Sequence, residues 1–319
     1  MVWGESWTIV LLAAHLLLFV LLALLYEWVD RKLVARLQNR YGPLYAGPSG
    51  IFQPVADIIK LLSKEDIVPR AADRLLFTLL PILYTALPLS ALFIIPVTAQ
   101  TALVSFEGDL IFIMFVFTLI IIAVFLAGWS SVSRFSSVGA VRAALQMLGY
   151  DIPFTLAMIG PAVAAGTLSV SGVVEWQASR ATCFLWLQPI GFIVLLICSL
   201  AELDLIPFDI PEAETEIVAG WFTEFSGRKL ALIRLGKDLE FILVASLITA
   251  LYLGGPSGWW MALPILWFLV KTTGVVLVIS ILHALFARFR IDQVVSGMWR
   301  LVVPLAILQV ILIKLGLGG

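Results

Sequence analysis

Apolar runs of membrane-spanning length recur along the whole chain, and no other feature restricts its fold as tightly. Eight are read: Trp7 to Tyr26, Leu75 to Val97, Leu110 to Trp129, Val141 to Ala165, Leu185 to Leu203, Leu230 to Leu253, Trp259 to Phe286 and Trp299 to Leu317. Each approaches the roughly 20 helical residues that cross a bilayer core, whereas barrel strands are about ten residues long and alternate in polarity. The chain is therefore expected to be an all-α integral membrane protein, a single membrane domain over residues 1–319. Charged residues make up 13% of it, about half the share usual in soluble domains. The first run follows MVWGESW, with no basic segment before it and no small-residue cleavage site after it, so it reads as a retained helix.

Charge sets the orientation. The connections after odd-numbered spans carry Arg31, Lys32, Arg36, Arg40, Lys60, Lys64, Arg70 and Arg74, then Arg134 and Arg142, then Arg228, Lys229, Arg234 and Lys237, then Arg288, Arg290 and Arg300. The opposite face holds only Arg180 and Lys314. By the positive-inside rule the basic connections are cytoplasmic and both termini lie outside.

Several chemistries are excluded. Cys183 and Cys198 are the only cysteines and His15 and His283 the only histidines, which gives no metal-ligand spacing and too few thiolates for an iron-sulfur cluster. The same scarcity argues against haem, and His15 and His283 read as packing or interface residues. No basic stripe interleaved with aromatics suggests nucleic acid.

The polar residues that remain are unusual in their placement. Residues 201–228 form an acidic connection with Glu202, Asp204, Asp209, Glu212, Glu214, Glu216 and Glu224, seven of the chain's 21 carboxylates, and no Lys or Arg before Arg228. Ile206, Pro207, Phe208, Ile210, Ile217, Val218, Trp221 and Phe222 interleave with them, more apolar surface than a purely solvated loop carries. The stretch is expected to be buried or covered by a partner. Asp209 with Glu212 three residues later and Pro211 between them predicts a capped helix start, which would put Glu212 and Glu216 on one face.

In the fourth span Asp151 stands between Tyr150 and Pro153; an intramembrane carboxylate is a functional candidate by default, with helix capping the alternative. The sixth span opens with Lys237, Asp238 and Glu240, and Lys271 lies near the middle of the seventh, so it is expected to pair with a carboxylate or join a proton relay. The second span holds Pro81, Pro88 and Pro96 and is expected to kink. In the connection 27–74, Ile51, Val55, Ile58, Ile59 and Leu62 share a helical face while Gln53, Asp57, Lys60 and Lys64 lie elsewhere, an amphipathic helix for the membrane interface or a partner.

Three stretches carry a resemblance. DRKLVARLQNRYGPLYAGPSGIFQPVADIIKLLSKEDIVP at Asp30 to Pro69, YDIP at Tyr150 to Pro153 and AELDLIPFDIPEAETEIVAGWFTEFSG at Ala201 to Gly227, with RIDQ at Arg290 to Gln293, resemble the H-type membrane subunit of respiratory complex I and of membrane-bound nickel–iron hydrogenases. The similarity covers essentially the whole chain.

The resemblance implies a multi-pass subunit of the cell membrane with no redox centre of its own. It implies cytoplasmic partners that hold the iron-sulfur clusters, a large catalytic-type subunit with or without a nickel–iron site, and antiporter-like and small membrane subunits. Carried over by motif, Arg36, Gln38, Arg40, Gly42, Pro43, Gln53, Asp57 and Lys60 would build the chamber floor and interface, with Pro207, Phe208 and Asp209 in the coupling loop. Asp151, Glu202, Asp204, Glu212, Glu214, Glu216, Glu224, Asp238, Glu240 and Lys271 would form the proton relay.

Two departures stand out. Asp30 replaces the family's usual Glu before Arg31 and Lys32, and Leu205 and Ile206 precede Pro207 where quinone-reducing members commonly carry Arg. The second favours a ferredoxin-linked, hydrogenase-like branch over a quinone-chamber subunit. A stand-alone proton-coupled transporter is the rival of another class, against which the chain has no internal repeat.

Overall fold

The computed structural model describes residues 2–258 and 263–318, with side chains from residue 10 onward. Thirteen α-helices are formed among them, and no strand. Six helices are long and apolar enough to cross a membrane: Val10–Leu37, Arg74–Leu92, Asp109–Ser130, Arg134–Ala165, Pro264–Leu285 and Ile291–Lys314. Two further helices complete the eight expected spans. Pro189–Glu202 is apolar but short, and Gly227–Leu253 is long but charged at its start. The protein is thus an all-helical, multi-pass membrane protein. The start of the seventh expected span, residues 259–262, lies outside the described residues.

The helices are labelled in chain order: α1 Val2–Leu37, α2 Gln53–Ser63, α3 Arg74–Leu92, α4 Asp109–Ser130, α5 Arg134–Ala165, α6 Val170–Arg180, α7 Phe184–Leu187, α8 Pro189–Glu202, α9 Glu214–Ile217, α10 Gly227–Leu253, α11 Pro264–Leu285, α12 Ile291–Gly297 and α13 Val303–Lys314. α10 is the axis of the bundle, in contact with α1, α2, α3, α6, α7 and α11. Every residue from Leu239 to Tyr252 is buried, and from Phe241 onward this half is predominantly apolar on all sides, as a core helix must be. α5 organises the other side, packed on α4, α8, α12 and α13.

Several expected boundaries move. α1 continues through Glu27, Asp30 and Arg31 to Leu37, because that stretch holds no helix breaker and its charges find partners. α5 starts at Arg134 instead of Val141. α3 ends at Leu92, so Pro96 lies beyond it, while Pro81 and Pro88 are inside. The fifth span is broken: Gln188 is non-helical between α7 and α8, since Pro189 disfavours helical geometry in the residue before it. α6, on the connection between the fourth and fifth spans, was not anticipated; its eleven residues have low mean hydropathy.

The predicted helix start at Asp209 does not form. Residues 209–213 are irregular, and only the single turn α9 follows. The amphipathic helix α2 does form. Pro54 and Leu61 are its buried residues, while Val55, Ile59 and Leu62 are exposed. Val55, Ile59 and Leu62 of the face read as apolar therefore point away from the bundle, while Ile51 and Ile58 are half-buried, as are the polar Gln53 and Asp57.

Candidate functional site: a buried carboxylate cluster around α10

Lys237 and Glu240 are three residues apart and share one face of α10, with Asp238 turned to another. Their face lines a cavity of about 30 Å³ together with Tyr84 of α3, Gln146 and Tyr150 of α5, and Glu202, Leu203 and Asp204 at the end of α8. Ile120, Ile121 and Val124 of α4 close the apolar wall. The volume suits one or two water molecules.

The cluster is enclosed. Glu202 is 5% and Glu240 4% exposed. Tyr84 donates its hydroxyl to Oε2 of Glu240 at 2.8 Å. Gln146 donates from Nε2 to the Ala201 carbonyl at 2.8 Å and to Oδ1 of Asp204 at 3.0 Å. Oε1 of Glu202 and Oε1 of Gln146 are buried without a hydrogen-bond partner among the described residues, and a water in the cavity would answer both. Asp109, near the other end of α4, shows the contrast. It is fully buried, yet Ser105, Ser169 and the Phe106 amide all donate to it.

The acidic connection folds over this cavity. Its apolar residues Phe208, Ile210, Ala213, Ile217, Trp221 and Phe225 are buried, and Phe225 stacks on Phe77 of α3 at 4.1 Å between ring centroids. Gly139 of α5 admits the loop: a Cβ there would lie 2.6 Å from the Trp221 amide nitrogen. Gly220 has φ +57°, and a Cβ on it would meet the Pro211 carbonyl oxygen at 1.8 Å.

Fixed in this way, the loop sends Glu212 inward and Glu216 outward. Glu212 pairs with Lys237 and accepts from Trp221 Nε1 at 3.1 Å. The ammonium of Lys237 also lies 4.8 Å from the centroid of the Phe222 ring. Glu216 pairs with Arg142 at 2.6 Å, and Asp209 with Arg288.

Electrostatics sort these loop carboxylates. Burial pushes Asp204 well above the ordinary aspartate range, and the neighbouring Glu212 adds to the shift against the opposing Lys237. Burial also raises Asp209, although Arg288 works in the other direction. The Arg142 hydrogen bond and charge hold Glu216 below its ordinary value.

On the far side of α10 lies a second network. Arg31 of α1 bridges Glu27, one turn earlier, and Asp57 of α2 at 2.7 Å. Gln53 donates to the other Asp57 oxygen at 2.9 Å. Burial works against the Asp57 carboxylate, but the hydrogen bonds from Arg31 and Gln53 prevail and lower its pKa. Asp238 lies beside Glu27 and within reach of the Arg31 charge. Consecutive residues of one helix thus touch two networks, Lys237 the cavity and Asp238 the α1–α2 junction.

Other sequence candidates are placed as follows. Asp151 is half-buried on α5 next to Tyr150, within range of the Glu202 charge. Glu214 is exposed on α9, and Glu224 is partly exposed. Pro207 is buried beside Phe208, and its carbonyl accepts from the Phe289 amide at 3.1 Å. Arg36, Gln38, Arg40 and Lys60 are exposed, while Gly42 and Pro43 pack against Lys32, whose ammonium donates to the Pro43 carbonyl at 2.8 Å.

Lys271 is not brought to the cluster. Its ammonium donates to the carbonyls of Leu253, Gly255 and Ser257 at the C-terminal end of α10, so the expected carboxylate partner is replaced by a helix terminus. His15, by contrast, packs as expected, against Phe19 and Phe93 with Nε2 facing the Leu92 carbonyl.

Sequence reasoning missed Glu27, Arg31, Tyr84 and Gln146 as members of the site. Tyr84 and Gln146 stand in apolar runs where a polar side chain signals a buried partner, and that signal was available.

Comparison with known proteins agrees with this architecture. The sequence profile of a family described as NADH dehydrogenase matches residues 9–314. The H subunit of NADH-quinone oxidoreductase from Dehalococcoides mccartyi is 37% identical over 307 residues, covering 93% of this chain and 86% of the relative. The second H subunit of NADH-quinone oxidoreductase from Rhodopseudomonas palustris is 36% identical, with 97% and 96% covered. Its counterpart in Bacillus cereus is 37% identical, with 98% and 96% covered.

Proposed function

Because the chain belongs to the NADH dehydrogenase family of H-type complex I membrane subunits, we propose that it is the coupling subunit of a complex I-like oxidoreductase, joining a hydrophilic redox arm to ion-translocating membrane subunits and opening the proton path. One observation carries this reading: Glu202, Asp204, Glu240, Tyr84 and Lys237 surround a water-sized cavity, and the next residue of α10, Asp238, reaches the Arg31–Asp57 junction.

Electron transfer in a partner alters charge at the outward carboxylates of the loop. The loop is anchored by Trp221 and Phe225 and passes the change to the Glu212–Lys237 pair. A shift of one pKa unit corresponds to about 1.4 kcal/mol, so a few coupled carboxylates transmit several kcal/mol. Asp151 and Glu202 then take up or release the proton, with Tyr150 beside them as a hydroxyl at the cavity wall.

The test is the complex in sealed vesicles, with redox turnover and ion movement measured separately. Glu202→Gln is expected to retain electron transfer to an artificial acceptor and lose ion translocation. An unchanged ion-to-electron ratio would overturn the relay role.

The acceptor is a separate question. The names of the relatives favour quinone; Leu205 and Ile206 before Pro207 favour a ferredoxin-linked, hydrogen-evolving partner. Reduced ferredoxin or NADH supplied to the complex decides between them: hydrogen without quinol supports the second, and quinol supports the first.

A further inference from the structure

The last span runs from Ile291 to Lys314, 24 residues, and at about 1.5 Å per residue it is longer than the roughly 30 Å hydrocarbon core. Ile291 therefore stands at the cytoplasmic interface, and Arg300, more than two turns further on, lies within the inner leaflet. Arg300 is exposed on the surface of the bundle. Among the described residues no carboxylate lies within ion-pairing distance of it. The cations of the adjoining loop region differ, since Arg142 is engaged by Glu216 and Arg288 by Asp209. A charged side chain within a span ordinarily faces the bundle interior and is paired there. One that faces outward takes its counter-charge from outside the chain.

The surface beside it is shaped to receive something. Leu145 of α5, Ile291 and Val295 of α12, and Trp299 line a groove of about 500 Å³ flanked by Arg300 and Asp292, a volume within the range of small-ligand sites. Trp299 is 49% exposed and donates from Nε1 to the Leu148 carbonyl at 3.1 Å. That bond pins the π turn Met298–Val302 to α5, and such turns are rare and concentrate at functional sites. Helical side chains tilt towards the N-terminus of their helix, which here is the cytoplasmic side. Arg300 therefore reaches back towards the inner headgroups while its stem stays against apolar surface.

We propose that this groove binds an anionic phospholipid of the inner leaflet, of the phosphatidylglycerol type, with an acyl chain along Leu145, Val295 and Trp299 and the phosphate on Arg300. Charge and shape both select this occupant. A guanidinium presents parallel N–H donors that match two phosphate oxygens, and an indole beside it suits the boundary between headgroup and hydrocarbon. Asp292, in the first turn of α12, lies two turns nearer the cytoplasm. Its carboxylate accepts from the glycerol hydroxyls beyond the phosphate, which a choline headgroup lacks. A partner's membrane helix is the less suitable occupant: close helix packing uses small residues, whereas Leu145, Leu148 and Trp299 crowd this rim. The site holds whichever electron acceptor the complex uses.

The test places the whole complex in nanodiscs doped with a photoactivatable phosphatidylglycerol and reads the label on peptides spanning residues 141–152 and 291–301. Both segments are expected to be labelled. An excess of unlabelled phosphatidylglycerol should remove the label, and the same excess of phosphatidylcholine should leave it. Arg300→Gln should lower labelling about fivefold, the effect of one interfacial cation on an anionic lipid, and Arg300→Lys should restore most of it. Equal displacement by the two lipids would overturn the headgroup assignment. A wild-type complex with neither segment labelled would overturn the site itself, a partner helix then covering the groove. The wild-type competition decides the matter even if Arg300→Gln fails to assemble.

Discussion

The Tyr84 hydroxyl donates to Oε2 of Glu240 at 2.8 Å across 156 positions of sequence. This bond ties α3 to α10 and gives a buried carboxylate of the cavity a fixed donor. Tyr84→Phe keeps the ring against Trp221 and removes only the hydroxyl. The complex is expected to lose about 1–3 kcal/mol, the range for a buried hydrogen bond that leaves its partner unsatisfied. Thermal inactivation in detergent measures it, and an unchanged midpoint would refute the assignment.

Lys237 and Glu212 hold the acidic loop to α10 with 29% and 15% side-chain exposure. Lys237→Met leaves Glu212 with Trp221 as its remaining partner and is expected to cost about 3 kcal/mol. The double variant Lys237→Met with Glu212→Gln should recover much of that loss. A double-mutant cycle reports the difference, and strict additivity would show that the two residues act independently.

Asp204 gives a pH dependence with a defined sign. Its folded pKa lies above the unfolded value, so the folded state retains this proton more firmly. The stabilisation is complete below the unfolded aspartate value of about 3.9 and is lost as pH rises through the folded one. Asp204→Asn should abolish that decline. Inactivation temperature against pH, compared between the wild type and the variant, is the check; parallel curves would rule out the effect.

Glu216 has the opposite sign and a small size. Its pKa is lowered by Arg142, so the pair stabilises above the unfolded glutamate value and that contribution disappears as pH falls through the folded one. Because the carboxylate is 53% exposed, Glu216→Gln should change stability by less than about 1 kcal/mol. The exposed Glu214→Gln should likewise leave stability almost unaltered. Either variant unfolding the loop, seen as new protease sensitivity between residues 205 and 226, would contradict this placement.

Gly139 sets how closely the loop approaches α5. A Val side chain there would enter the backbone of Gly220 and Trp221, with an overpacking cost of about 1–3 kcal/mol. The expected result is a complex that assembles poorly and exposes the Trp221 segment to protease. Normal assembly of Gly139→Val would mean that the loop seats elsewhere.

The sequence by itself determined the class of fold, the eight spans, the amphipathic α2 and the position of the acidic connection. Each of these is written in local hydropathy or in a contiguous motif. Only the tertiary structure decided which carboxylates meet. Glu212 and Glu216 looked like neighbours on one helix, yet the loop has no helix at Asp209, and its buried apolar residues turn Glu212 to Lys237 and Glu216 to Arg142. Lys271 looked like a partner for acids, yet the C-terminal carbonyls of α10 satisfy it. Asp57 was expected on the polar face of α2, but nothing in its own segment shows that Arg31 of another helix is its partner. Hydropathy records what a segment prefers as solvent. It carries no record of partners 26, 74 or 156 residues away, and most of the charge chemistry here is made of such pairs.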